Sequence, residues 1–155
     1  MAKPYYEFFC PVKVIAGHAA LEHIPFELAT LGAKRPLIIT DKGVRNNHLL
    51  APIEAAFEST DAVIGYIFDD VPPDSSVETV RGAAKAYREN NCDAIIAVGG
   101  GSVIESGMDN GVGEGSILGD GILEAGEISA TAIVCSGSST VIRTAPADLF
   151  SCPNG

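Results

Sequence analysis

A run of three glycines follows an apolar segment in AIIAVGGGSVIES. Residues 94–98 predict a buried strand, and the next four residues predict a tight turn into a helix N-terminus: Gly99, Gly100, Gly101 and Ser102. Unpaired amides at such a terminus attract anions, and Ser102 would cap the helix or bond a phosphate oxygen. The motif is neither GxGxxG nor a P-loop, so taken alone it fits an ordinary turn equally well.

Asp41 is a second candidate, at the end of the apolar run in LIITDKG. In dinucleotide-binding folds a carboxylate at a strand's carboxyl end accepts hydrogen bonds from the adenosine ribose hydroxyls. It would repel a 2′-phosphate there and favour NAD over NADP. The alternative, favoured when the residue is taken alone, is that Asp41 only caps the helix that begins at Lys42.

Both candidates need a sheet, and the chain contains short apolar runs that predict one. The predicted strands are residues 37–40, 63–68 and 94–98, with 13–16 as a weaker strand near the edge and 130–135 as a further candidate. Their alternation with helices predicts an α/β fold, a Rossmann-like parallel sheet with flanking helices. Ligands of such sheets bind outside the carboxyl ends of the strands, where Asp41 and the glycines fall.

Helices are predicted between these strands. Ser75 and Glu78 form a capping box for one helix, which ends near Asn90 and Asn91. Another covers about residues 49–57. The predicted inward-facing side chains of these two helices are Leu50, Ile53, Phe57, Val77, Val80, Ala84 and Tyr87. The segment ALEHIPFELATLG is helical in pattern, but its Pro25 predicts a kink or a new start.

The patterning changes after Ser106. The segment GMDNGVGEGSILGDGILEAGE is crowded with glycine and acidic residues and has no helical stripe. We therefore expect a dinucleotide-binding domain over residues 1–106 and an unassigned Gly- and acid-rich segment over residues 107–155.

Composition narrows the classes of partner. The chain has 155 residues, 46% of them hydrophobic, and a net charge of −10. This acidity argues against nucleic acid as a partner, because binding a phosphodiester backbone needs clustered Lys and Arg. Apolar runs are too short for a membrane helix, and the N-terminus lacks a signal-peptide pattern, so a cytoplasmic location without membrane attachment is expected. The four widely spaced cysteines, at positions 10, 92, 135 and 152, are expected to be free thiols.

Residues for covalent or metal catalysis are not found. GxSxG is absent, and no His follows the Ser-rich turn SGSST as a base. His18, His23 and His48 lack metal-binding spacing and are interpreted as surface or helix-end residues. We expect no catalytic residue and no metal ligand in this chain.

The segments KVIAG, LIITDKG, FDDVPPDSSVETV and CDAIIAVGGGSVIE, in this order and spacing, resemble the N-terminal half of the iron-containing (group III) alcohol dehydrogenase family. The resemblance covers roughly residues 5–105. It implies that Gly99, Gly100, Gly101 and Ser102 hold the diphosphate of NAD and that Asp41 lies by the adenosine ribose. In complete enzymes of the family, NAD exchanges hydride with an alcohol or aldehyde that Fe²⁺ or Zn²⁺ polarises.

The sequence also departs from the family pattern. Glu105 stands where the family has Asp, and SGMDNGVG replaces a helix rich in Ala and Lys, so no helix is expected beyond its first turn. The family's metal ligands belong to a helical C-terminal domain that we do not find. We therefore expect the cofactor-binding part of an NAD-dependent alcohol dehydrogenase, inactive alone, whose uncovered apolar surface would favour a homo-oligomer. The alternatives are a non-catalytic nucleotide-binding or interaction module, or a truncated or frame-shifted gene product.

Overall fold

A computed structural model of the chain describes residues 13–17, 19–74, 76–111, 130–135 and 141–145. Its strands are β1 Lys13–Ala16, β2 Pro36–Thr40, β3 Tyr66–Phe68, β4 Ala94–Gly99, β5 Ala130–Cys135 and β6 Val141–Ala145. Its α-helices are α1 Ile24–Thr30, α2 Lys42–Asn46, α3 Ala51–Phe57, α4 Val77–Glu89 and α5 Gly101–Gly111. A 3-10 helix, Ala20–His23, precedes α1.

The described strands form one sheet in the order β1-β6-β5-β4-β2-β3. Strands β3, β2, β4 and β5 are parallel, whereas β6 is antiparallel to both β5 and β1. The predicted α/β fold, a parallel sheet with flanking helices, is confirmed, and the weak strand at residues 13–16 is an edge strand as expected. The structure adds the antiparallel pair at that edge.

The central strands are buried on both faces, which explains their unbroken apolar sequences. All five residues of β2 and all six of β4 are buried. Ile38 contributes to an apolar cluster with α1 and α3, whereas Leu37 and Ile39 contribute to a second cluster with α4 and α5. Each fully buried Ile or Leu stabilises the fold by about 1.5–3 kcal/mol.

Two predicted helices are confirmed in their main features. A new helix, α1, begins at Ile24 with Pro25 in its first turn, where the missing amide hydrogen is not needed. In α3 and the residue before it, Leu50, Ile53 and Phe57 are buried as predicted.

The start of α4 and one residue of its inward face differ from the prediction, whereas Val80, Ala84 and Tyr87 are buried as predicted. Its N-cap is Ser76, whose Oγ accepts from the Thr79 amide at 3.3 Å, and Ser75 lies outside the described residues. Val77 is 43% exposed, so its predicted inward orientation was wrong. Because α4 begins at Val77, this residue lies at the helix end, and Ala83 joins the buried face instead. Hydrogen bonds from its own amide and from the Ser76 hydroxyl lower the pKa of Glu78.

The helix after the glycine turn is longer than predicted. It runs from Gly101 to Gly111 and crosses position 106, and β5 then pairs with β4. Small residues, rather than a stripe of large ones, allow this packing: a Cβ on Gly107 would lie 2.8 Å from the Ala97 Cβ. Ser106 is buried, and its hydroxyl donates to the Ser102 carbonyl oxygen at 2.9 Å. The expectation that the helix stops after one turn was wrong.

The structure describes only part of the chain on which the cysteine and membrane predictions depend. Cys92 is a buried free thiol, as predicted. Cys10 and Cys152 lie outside the described residues, and only the backbone of Cys135 is described. In the ranges that the structure describes, no helix combines the length and the apolar composition needed to cross a membrane.

Candidate functional site

The strand order creates a crevice between the carboxyl ends of β2 and β4. The chain leaves β2 toward β3 on one side of the β2/β4 pair and leaves β4 toward β5 on the other side. The two connections therefore diverge. Open α/β sheets bind ligands at such a switch point. A cleft of about 680 Å³ opens there. Its lining residues are Asp41, Lys42, Gly43, Asp69, Asp70, Val71, Pro72, Pro73, Thr79, Gly100, Gly101, Ser102 and Val103.

A side-chain hydrogen bond joins the two central strands near their carboxyl ends. The buried Thr40 hydroxyl donates to the Val98 carbonyl oxygen at 2.7 Å. This bond holds the last residues of β2 and β4 together. The segments that follow them, at Asp41 and at the glycine turn, therefore start from neighbouring positions.

The three glycines differ in their surroundings. Gly99 has a φ of +156°, and a Cβ there would lie 2.9 Å from Val103 Cγ2, so this position requires glycine. At Gly100 and Gly101, no described heavy atom lies within 4 Å of where a Cβ would be. Both of these glycines line the cleft, and Gly99 is not among its lining residues. Gly99 therefore makes the turn, and the next two leave space beside it.

The N-terminus of α5 opens at this space. The Ile104 amide donates to the Gly100 carbonyl oxygen at 3.1 Å. The amides of residues 101–103 precede this bond and have no partner within the helix. They and the positive end of the helix dipole suit an anion such as a diphosphate.

The Ser102 hydroxyl has a hydrogen-bond partner within the chain. It donates to the carbonyl oxygen of Pro73. This bond joins the start of α5 to the loop that follows β3, and that loop forms one wall of the cleft.

Asp41 is the N-cap of α2, as the alternative interpretation predicted. Its Oδ1 accepts from the Val44 amide at 2.9 Å. The second oxygen, Oδ2, lies 3.2 Å from where a Cβ on Gly99 would be, so it faces the glycine turn. Capping occupies one carboxylate oxygen and leaves Asp41 among the residues that line the cleft.

Sequence reasoning missed the ion pair at the rim of the cleft. Lys42 Nζ lies 2.7 Å from Asp70 Oδ1, and both side chains are mostly exposed, at 70% and 73%. The hydrogen bond and the charge of Asp70 raise the pKa of Lys42. The signal was the acidic pair Asp69 and Asp70 directly after β3, because carboxyl ends of parallel strands meet at one edge.

The histidines do not form a metal site in the part of the chain that is described. There, no group of three or more His, Cys, Asp and Glu side chains is arranged to hold a metal ion. His23 and His48 are exposed, as predicted, and His18 lies outside the described residues.

Comparison with known proteins identifies relatives of this region. The family model of iron-containing alcohol dehydrogenase matches residues 11–107. The 4-hydroxybutyrate dehydrogenase of Cupriavidus necator is 38% identical over 89 residues, which are 56% of this chain and 22% of that protein. The NAD-dependent methanol dehydrogenase of Bacillus methanolicus is 28% identical over 95 residues, 61% of this chain and 25% of that protein.

A solved structure shares both the fold and the sequence similarity. The crystal structure of a 1,3-propanediol oxidoreductase superposes with a TM-score of 0.58 at 30% identity. The superposition covers 62% of this chain and 25% of that one. The chain thus spans about a quarter of the length of the relatives it matches.

Proposed function

The chain belongs to the iron-containing alcohol dehydrogenase family, and on this premise we propose that it binds NAD in the cleft at the carboxyl ends of β2 and β4. The observation that carries the proposal is the open space at Gly100 and Gly101, directly at the N-terminus of α5. A ligand with paired phosphates fits this combination, because Gly100 and Gly101 are exposed and no described heavy atom lies within 4 Å of where their Cβ atoms would be. We assign dinucleotide binding to the proposed domain over residues 1–106.

The diphosphate is proposed to lie on the amides that begin α5. Gly99 sets the turn, and Gly100 and Gly101 leave room for the phosphate oxygens. Ser102 lies at the start of α5, and its hydroxyl donates to the Pro73 carbonyl oxygen rather than to a phosphate. The helix dipole stabilises the negative charge without a basic side chain.

The adenosine ribose is proposed to lie beside Asp41. Its Oδ1 caps α2, and the carboxylate accepts hydrogen bonds from the ribose hydroxyls. Among the described residues that line the cleft, three are aspartates, Asp41, Asp69 and Asp70, and one is a lysine, Lys42. The negative charge of Asp41, beside the ribose, disfavours the additional phosphate of NADP.

The whole protein's activity is proposed to be hydride transfer between NAD and an alcohol or aldehyde. The names of the relatives, a 4-hydroxybutyrate dehydrogenase and an NAD-dependent methanol dehydrogenase, support this class of reaction. A divalent ion would polarise the substrate oxygen in such a reaction. The described residues hold no ligand set for it, so we assign no step to a metal. We propose a cytoplasmic location.

The test is calorimetric titration of the chain with NADH, for the wild type and for Gly101→Val. The valine side chain would fill the space that the diphosphate needs, so we expect the affinity for NADH to fall at least about tenfold. Ala55→Val adds similar bulk on an exposed position of α3, outside the cleft, and should leave the affinity unchanged. If Gly101→Val binds NADH with wild-type affinity and its far-ultraviolet circular dichroism spectrum is unaltered, the proposed diphosphate site is ruled out.

A further inference from the structure

The Lys42–Asp70 ion pair brings opposite charges together at the proposed cofactor site. Lys42 directly follows Asp41 in the chain and begins α2. Among the described residues that line the cleft it is the only Lys or Arg. Asp70 belongs to the loop after β3 and reaches Lys42 Nζ at 2.7 Å.

A free ammonium at Lys42 would weaken the selectivity that Asp41 provides. A phosphomonoester carries a charge of about −1.5 to −2 at pH 7, and lysine binds phosphate well as a point charge. An unpaired Lys42, adjacent to the residue proposed to contact the ribose, would attract the 2′-phosphate of NADP. Its 70% exposed side chain has the freedom to turn toward such a group.

From this geometry we propose that Asp70 is a specificity-determining residue, which pairs with Lys42 and so withholds its ammonium from the 2′-phosphate of NADP. The inference rests on the proposed function, because it requires a dinucleotide in the cleft. It assigns to the loop after β3 a part in choosing between the two cofactors, beyond the repulsion that Asp41 exerts.

The chain offers a matched control for simple removal of negative charge. Asp69 lines the same cleft and precedes Asp70, but the ion pair with Lys42 is made by Asp70. Asp69→Asn and Asp70→Asn therefore remove the same charge from neighbouring positions. Only Asp70→Asn releases the ammonium.

The experiment measures dissociation constants for NADH and NADPH with the full chain. We expect Asp70→Asn to bind NADPH about fivefold more tightly than the wild type, the scale of one exposed ion pair, with NADH affinity unchanged. Asp69→Asn should change NADPH affinity less than about twofold, since the pair remains. In Lys42→Met/Asp70→Asn the gain should vanish, because no ammonium is left to bind the phosphate.

Four results would overturn the inference. If Asp69→Asn and Asp70→Asn gain NADPH affinity equally, or if the gain persists in Lys42→Met/Asp70→Asn, the effect is general electrostatics and Asp70 has no specific part. An unchanged NADPH affinity in Asp70→Asn, with NADH bound normally, refutes the inference alone. Failure of the wild type to bind NADH refutes the proposed function, and the inference with it. Thermal unfolding of each variant verifies that the exposed substitutions leave the fold intact.

Discussion

The two ends of the parallel strands are built in opposite ways. At the amino end, the Asp93 carboxylate accepts from the backbone amides of Lys34 and Arg35 at 2.8 and 2.7 Å. The Arg35 Nε donates to the Asn90 carbonyl oxygen at 2.8 Å, which joins the turn before β2 to the turn before β4. At the carboxyl end, the corresponding segments separate around a cleft. The amino end is therefore tied together by hydrogen bonds, whereas at the carboxyl end the amides that begin α5 have no partner within their helix.

Glycines at the two ends show the same difference. A Cβ on Gly65, just before β3, would lie 2.7 Å from Cys92 Sγ and 3.3 Å from the Pro36 carbonyl oxygen. A Cβ on Gly101 would meet no described atom within 4 Å. Gly65 allows close packing at the amino end, whereas Gly101 leaves free space at the carboxyl end. The residue type alone does not distinguish these purposes.

The largest expected effect tests this contrast directly. Gly65→Val forces bulk against Cys92 and a backbone carbonyl, so we expect it to lower the free energy of unfolding by about 2–3 kcal/mol. Gly101→Val places the same side chain in open space and should change that free energy by less than about 0.5 kcal/mol. Urea denaturation of both variants measures the difference. Equal destabilisation would mean that the carboxyl end is packed as tightly as the amino end.

The reactivity of the buried Cys92 thiol measures how well water is excluded from the amino end of the sheet. Burial raises the pKa of its thiol from 9.0 to about 11, and the positive charge of Arg35 offsets this only in part. At pH 8 the folded chain should hold about 100-fold less Cys92 thiolate than the unfolded chain and react correspondingly more slowly with iodoacetamide. Peptide mapping by mass spectrometry separates Cys92 from the other cysteines.

The same shift predicts how stability depends on pH. Because the folded pKa lies above the unfolded one, the contribution of Cys92 to stability is fully present below pH 9 and is lost between about pH 9 and 11. Alkylation of Cys92 at equal rates in the folded chain and in urea would show that this end of the sheet admits solvent.

The smallest expected effect concerns Asp41 at the open end. Asn caps helices as well as Asp does, so Asp41→Asn should keep α2 while it removes the charge that we propose to repel a 2′-phosphate. We expect the ratio of NADPH to NADH affinity to rise about tenfold. Competitive titration with the two cofactors measures this ratio. A ratio that does not change would place the ribose away from Asp41.

Local sequence patterns were sufficient for the central strands and for the position of the glycine turn. The runs that became β2 and β4 are apolar without alternation, because helices cover both faces of a parallel sheet. The alternation of these strands with helices predicted that Asp41 and Gly100 lie at the same edge of the sheet. Both residues line the cleft.

Element boundaries were predicted less well. Strand β3 begins at Tyr66, three residues after the predicted start at Val63, although Val63 and Ile64 are β-branched residues that favour strands. In α4, Ser75 and Ser76 are chemically identical caps, so sequence spacing alone selected the wrong one. In α5, small residues pack closely on β4 and give no apolar stripe to detect.

The amino-acid sequence by itself determined the α/β fold, the edge of the sheet where the cleft lies and the glycine turn at that edge, because these depend on short-range periodicity and on backbone freedom. Only the tertiary structure decided the strand order, the Lys42–Asp70 pair and the bond from Ser102 to Pro73. These contacts join residues 28 and 29 positions apart in the chain. Such pairs meet because of how the helices cross between strands, and no local pattern encodes that crossing.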